Sequence, residues 1–163
     1  MKLDPQFKSQ NNKLYFLDGT EFDAKSNVNT DSANLGVQNF EPSKILCVNI
    51  LWTQIGFDEE NYNENFLATL RDNLKSFEEK KIYAFILPVT DKIPETNDEK
   101  ERFTASFKHC ARRIKDCTSV VGFAIPECVN QQNFIEELSA KHKHYIFFSK
   151  NPEILKNESI VEF

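Results

Sequence analysis

From Lys44 onward the chain alternates short, nearly unbroken apolar runs with longer segments of helical period, and this alternation restricts the fold more than any other feature. Ile45–Trp52 is the first run. Between Asn63 and Lys80 the residues Phe66, Leu67, Leu70, Leu74 and Phe77 recur at intervals of three and four, leaving Arg71, Asp72, Lys75 and Glu78 outside, which predicts an amphipathic helix. Ile82–Leu87 follows as a second run closed by Pro88, the pattern of a strand buried on both faces. Phe103, Phe107, Cys110, Ala111 and Ile114 mark a second helix, with Asp98 as its expected cap and Glu101 in the reciprocal position. Val120–Ile125, ended by Pro126, is the third strand. A shorter helix capped by Asn130 and a fourth strand at His144–Phe148 come next, then one helical turn and a short last strand up to Phe163.

Strand-helix-strand crossovers of this length join parallel strands. The expected fold is therefore α/β, a mainly parallel sheet of about five strands with helices on both faces. Half of a (β/α)8 barrel is the alternative. The first forty residues read differently: Leu14–Leu17, the turn Asp18-Gly19 and Thr20–Phe22 predict an N-terminal β-hairpin followed by an Asn- and Ser-rich loop. Residues 1–163 are read as one α/β domain, with a hairpin and loop-rich lead-in over 1–43 and βα repeats over 44–163. A length of 163 residues with 40% apolar side chains, fifteen of them Phe, suffices for one core.

Composition removes several classes of function. Net charge is −5 and no segment interleaves Lys and Arg with aromatics, so nucleic acid is not expected as a partner. The first ten residues contain no apolar run of signal-peptide length, and no stretch approaches the eighteen apolar residues a membrane span requires, so neither membrane nor export is expected. Four scattered cysteines, Cys47, Cys110, Cys117 and Cys128, read as small buried hydrophobes, which fits a reducing cytoplasm. With Gly19, Gly36, Gly56 and Gly122 as the only glycines, no Gly-rich turn cradles a phosphate, and no cofactor is expected. His142 and His144 sit where basic residues complement a helix C-terminus, so no metal is expected either.

Chemistry in a parallel sheet gathers beyond the carboxyl ends of its strands. Trp52, Thr53, Gln54 and Asp58–Glu60 fall after the first run, Thr90 and Asp91 after the second, Glu127 and Cys128 after the third, Ser149 and Lys150 after the fourth. Several of the acids also precede helices, where a carboxylate caps free N–H groups.

The order of these pieces resembles the N-terminal half of a clan A, cellulase-like glycoside hydrolase (β/α)8 barrel, over about residues 12–150. Lys13–Phe22 is similar to the leading hairpin of those enzymes, and Ser26–Asn29 sits where their first strand carries Gly-Val-Asn. Val48–Trp52, Tyr83–Leu87 and Val121–Glu127 resemble their second, third and fourth strands. The resemblance implies Glu127 as the general acid/base. It also marks the chain as truncated and degenerate: Asn49 stands about where the family has arginine, the histidine after the third strand is replaced around Pro88, and Pro126 takes the place of Asn. The family's nucleophile belongs to a seventh strand, and about 250 residues are typical of a full barrel.

Two functions follow as expectations. One is a non-catalytic domain binding a carbohydrate or protein along the carboxyl edge, with Trp52, Asn49 and Asp91 as binding residues and Glu127 beside them. The other is a degenerate hydrolase acting on a carbohydrate through Glu127 and a second acid, Asp91 or one of Asp58–Glu60, about 5 to 9.5 Å away. The incomplete catalytic set favours the first. An open sheet edge would be covered by self-association, which makes a homodimer the expected assembly if such an edge remains.

Overall fold

A computed structural model describes residues 3–163. Its centre is a six-stranded, wholly parallel sheet: β4 (Val28–Asp31), β5 (Leu46–Leu51), β6 (Ala84–Val89), β7 (Val120–Ala124), β8 (Ile146–Ser149) and β9 (Val161–Glu162) lie side by side in chain order. A three-stranded antiparallel sheet precedes it, made of β1 (Phe7–Gln10), β2 (Lys13–Phe16) and β3 (Glu21–Phe22). The helices are α1 (Trp52–Ile55), α2 (Glu64–Lys80), α3 (Asn97–Arg113) and α4 (Gln131–Ser139). Among the described residues no helix is long and apolar enough to cross a membrane.

The α/β class, the parallel sheet and the N-terminal hairpin are as the sequence predicts; the sheet has six strands rather than about five. The extra strand is β4, which lies within the lead-in of residues 1–43 and pairs with β5 from Val28↔Leu46 to Asp31↔Asn49. β6 also runs on across Pro88, which faces Ile50 of β5. Pairing of β6 with β7 has ended by then, at Ile86↔Phe123, and proline is tolerated where a strand has one neighbour.

Helix coverage differs from the expectation of helices on both faces. Putting helices on a second face requires the strand order to reverse, because each crossover is right-handed. Here the order never reverses. The buried residues of α1 to α4 therefore pack together with Leu46, Val48, Ile50, Ala84, Ile86, Val120, Phe123 and Phe147 on one face. The opposite face, with Ile45, Cys47, Phe85, Val121, Ala124, Phe148 and Val161, is covered by Phe7, Leu14 and Phe22 of the small sheet. That second face is concave. Phe85 and Phe148 belong to strands separated by β7, about 9 to 10 Å apart in a flat sheet, yet their rings stack at 4.1 Å.

Gly122 lies between them on β7 and must be glycine, since a Cβ there would meet Ile146 O at 1.6 Å. A register shift at Ala84/Phe85, opposite Val120 and Gly122, marks the same place as a bulge. At the far edge, the β1–β2 turn closes over β9. Asn12 N–H donates to Glu158 O (2.9 Å), and Glu162 N–H donates to Asn12 O (3.0 Å). The Asn12 side-chain amide reaches Leu155 O, Asn157 O and Ile160 O at 2.8–3.0 Å.

Candidate functional site

Alternation along β5 sorts its side chains. Leu46, Val48 and Ile50 face the helices, so Cys47, Asn49 and Leu51 face the concave side. On β4 the partners are Asn29, opposite Cys47, and Asp31, opposite Asn49. The result is a polar cluster at the carboxyl ends of β4 and β5. The Asn29 and Asn49 amides pair reciprocally, Asn29 Nδ2 donating to Asn49 Oδ1 (3.0 Å) and Asn49 Nδ2 to Asn29 Oδ1 (2.9 Å). Asn49 Nδ2 also donates to Asp31 Oδ1 at 3.1 Å, and Asn29 Nδ2 to Cys47 Sγ at 3.5 Å. The amide hydrogens are thereby used, while each carbonyl keeps a lone pair and the Asp31 carboxylate keeps more. Asn29 and Asp31 are exposed and Asn49 is half-buried.

Lys150 follows β8, its Nζ 5.0 Å above the ring of Phe163. Burial pushes the Cys47 thiol up, opposed by the Asn29 amide and the Lys150 charge. The edge thus offers acceptor oxygens, a cation and an apolar floor.

Other residues expected at this edge stand elsewhere. Trp52 opens α1 and is 2% exposed, in the core shared by the helices. Its indole N–H donates to Ser106 Oγ at 3.0 Å, and Phe57 and Phe103 close on its ring edge-on at 4.6 and 5.2 Å. No ring face is left for a ligand. Asn29 and Asp31 were missed as site residues: the residue pattern reads their stretch as a loop, and the resemblance, which sets Ser26–Asn29 at a first strand, gave neither a role.

Asp91 is exposed in the turn after β6, and Glu127 is exposed in the turn after Pro126. Among the described residues neither makes a side-chain hydrogen bond or an ion pair, and α4 is capped by Asn130. Asp58 caps a short turn, accepting from Glu60 N–H (3.1 Å) and Asn61 Nδ2 (2.9 Å). Among the described residues no hydrogen-bonded carboxylate pair forms around Glu127.

No protein-family model matches the chain, and no curated protein matches it. Among solved structures it is similar to a GH5_18 protein from Bifidobacterium longum subsp. infantis. The TM-score is 0.50 at 11% identity, over 79% of this chain and 39% of that one. The chain thus spans well under half of that protein's length. The likeness is one of fold, glycoside hydrolase-like.

Proposed function

We propose that the chain is a non-catalytic binding domain that takes a carbohydrate at the carboxyl edge of its parallel sheet. The observation that carries this reading is the cluster of Asn29, Asn49 and Asp31. Its oxygens are held in place by one another with lone pairs to spare, which suits the hydroxyl donors of a sugar. The edge is the one where ligands of such sheets bind, and the glycoside hydrolase-like fold adds weight to a sugar over other polyols. Glu127 and Asp91, without side-chain partners among the described residues, are assigned in this reading to the rim, contributing little; Trp52 has no part.

Titration of the full chain with a panel of oligosaccharides, followed by calorimetry, tests this. Binding without turnover is expected, weakened about tenfold by Asn49→Ala, as for the loss of one or two good hydrogen bonds, and unchanged within about twofold by Glu127→Gln. Release of a shorter sugar that Glu127→Gln abolishes would instead establish the degenerate hydrolase. Silence toward every sugar would overturn the carbohydrate reading in favour of a protein partner.

A further inference from the structure

At the opposite end of the sheet, the segments leaving α3 and α4 meet in a cleft of about 410 Å³. Its wall carries Arg112, Lys115, Lys141, His142, Lys143 and His144, with Leu3 and Ala140 completing it and no acid among the lining residues. On a chain with net charge −5 such a gathering is out of keeping with the surroundings. Among the described residues none of the four cations forms an ion pair, whereas the neighbouring Arg113 is held by Glu64 at 3.1 Å. Among those residues Arg112 reaches only the His109 ring, Nη2 to Nδ1 3.3 Å.

Complementing two helix C-termini is the ordinary use of basic residues here, but that effect is small and confined to the last turn. Lys141 and Lys143 lie beyond the end of α4 at Ser139. Mutual repulsion of unpaired cations around a cavity is relieved by an anion. Burial, reinforced by Lys115, Lys141 and Arg112, holds His142 below its ordinary range, and burial followed by the charge of His142 does the same to His144. Among the described residues, Nε2 of His144 is buried without a partner.

We propose that this cleft binds a small multivalent oxyanion of the phosphate class, held by Arg112, Lys115, Lys141 and Lys143. A water occupies about 30 Å³ of liquid, so the cleft has room for several linked phosphates. The site is separate from the carbohydrate edge and stands or falls independently of it.

The full chain is titrated calorimetrically with tripolyphosphate, inorganic phosphate and citrate, at low salt and at about 0.15 M, where the Debye length is about 8 Å. One site is expected, with tripolyphosphate at least about tenfold tighter than phosphate. The double variant Lys115→Gln/Lys141→Gln, at one half-buried and one exposed lysine, weakens it by about tenfold or more, and Lys115→Arg/Lys141→Arg restores it. Lys80→Gln/Lys81→Gln, removing two charges elsewhere, leaves it unchanged. Ring-proton titrations of His142 and His144 should move to higher pH with tripolyphosphate present. The proposal is overturned by no binding, by equal loss in the Lys80/Lys81 control, by citrate binding as tightly, or by binding only to vesicles of anionic phospholipid.

Discussion

Gly122 is the residue at which the fold tolerates least. With a carbonyl oxygen 1.6 Å from where a Cβ would stand, Gly122→Ala must push β7 and β8 apart. A loss of about 3 kcal/mol or more is expected from such overpacking, read as a lower urea midpoint. Asn12 is the second such position. Its backbone is left-handed, φ 62°, and its two amide hydrogens are shared among three carbonyls of the C-terminal segment. Asn12→Ala loses both features and should cost about 2 kcal/mol, whereas Asn12→Gly, which keeps the backbone at ease, should cost less. Denaturant curves of the two separate the bonds from the backbone. Both positions look ordinary in the sequence, one a glycine in an apolar run and the other half of an Asn-Asn pair. The pair was nevertheless readable: two left-handed residues between β1 and β2 make a two-residue hairpin turn, and Asn-Asn fits it. That signal would have located β1, which was missed.

Helix positions follow the apolar period closely, because a buried stripe is a local property of the sequence. α2 starts after Asn63, whose Oδ1 accepts from Phe66 N–H at 3.0 Å, and α4 after Asn130, which accepts from Asn133 N–H at 2.8 Å. α3 departs from the expected cap. Thr96 replaces Asp98, taking Glu99 N–H at 3.1 Å, while the Glu99 carboxylate takes Glu95 N–H at 2.8 Å. The choice among Thr96, Asn97 and Asp98 depends on how the loop from β6 arrives. Between elements, Arg71 of α2 clasps Asp116 beyond α3 with two hydrogen bonds, holding its carboxyl below the usual range. A lowered carboxyl contributes stability above its unfolded pKa and loses it as pH falls through the folded one. Since the pair is about one-third exposed, Asp116→Asn should cost only about 0.5–1 kcal/mol at neutral pH. That difference should begin to shrink as pH drops below about 4, the ordinary aspartate range, and be gone once pH has fallen through the lowered range of the folded carboxyl; urea midpoints against pH give the answer. Burial raises the thiols of Cys110 and Cys117 to about 12. A thiol reagent near pH 8 should therefore reach half-buried Cys128 first and those two only on unfolding.

Over the whole molecule, the small N-terminal sheet does the work that a second layer of helices was expected to do. Phe7, Phe16 and Phe22 gather with Tyr83 below the concave face, and the β1–β2 turn occupies the outer edge of β9. A chain lacking residues up to Phe22 should expose that face, bind a hydrophobic dye and aggregate, which light scattering would register. The occupied edge of β9 also removes one of the two surfaces on which a homodimer would pair. Along the chain, sequence alone determined the kind and order of the main elements from β5 onward, the single turn of α1 excepted, because helical and strand periods are set by residues within a few positions of each other. It also marked the carboxyl edge, while Asn49 came to notice through the resemblance to a family second strand. Which face each strand residue shows, the recruitment of Val28–Asp31 as a sixth strand, and the burial of Trp52 were decided by tertiary structure. These depend on strands pairing across long loops and on contacts such as that of Asn12 with Glu162, 150 positions apart, where no local period carries information.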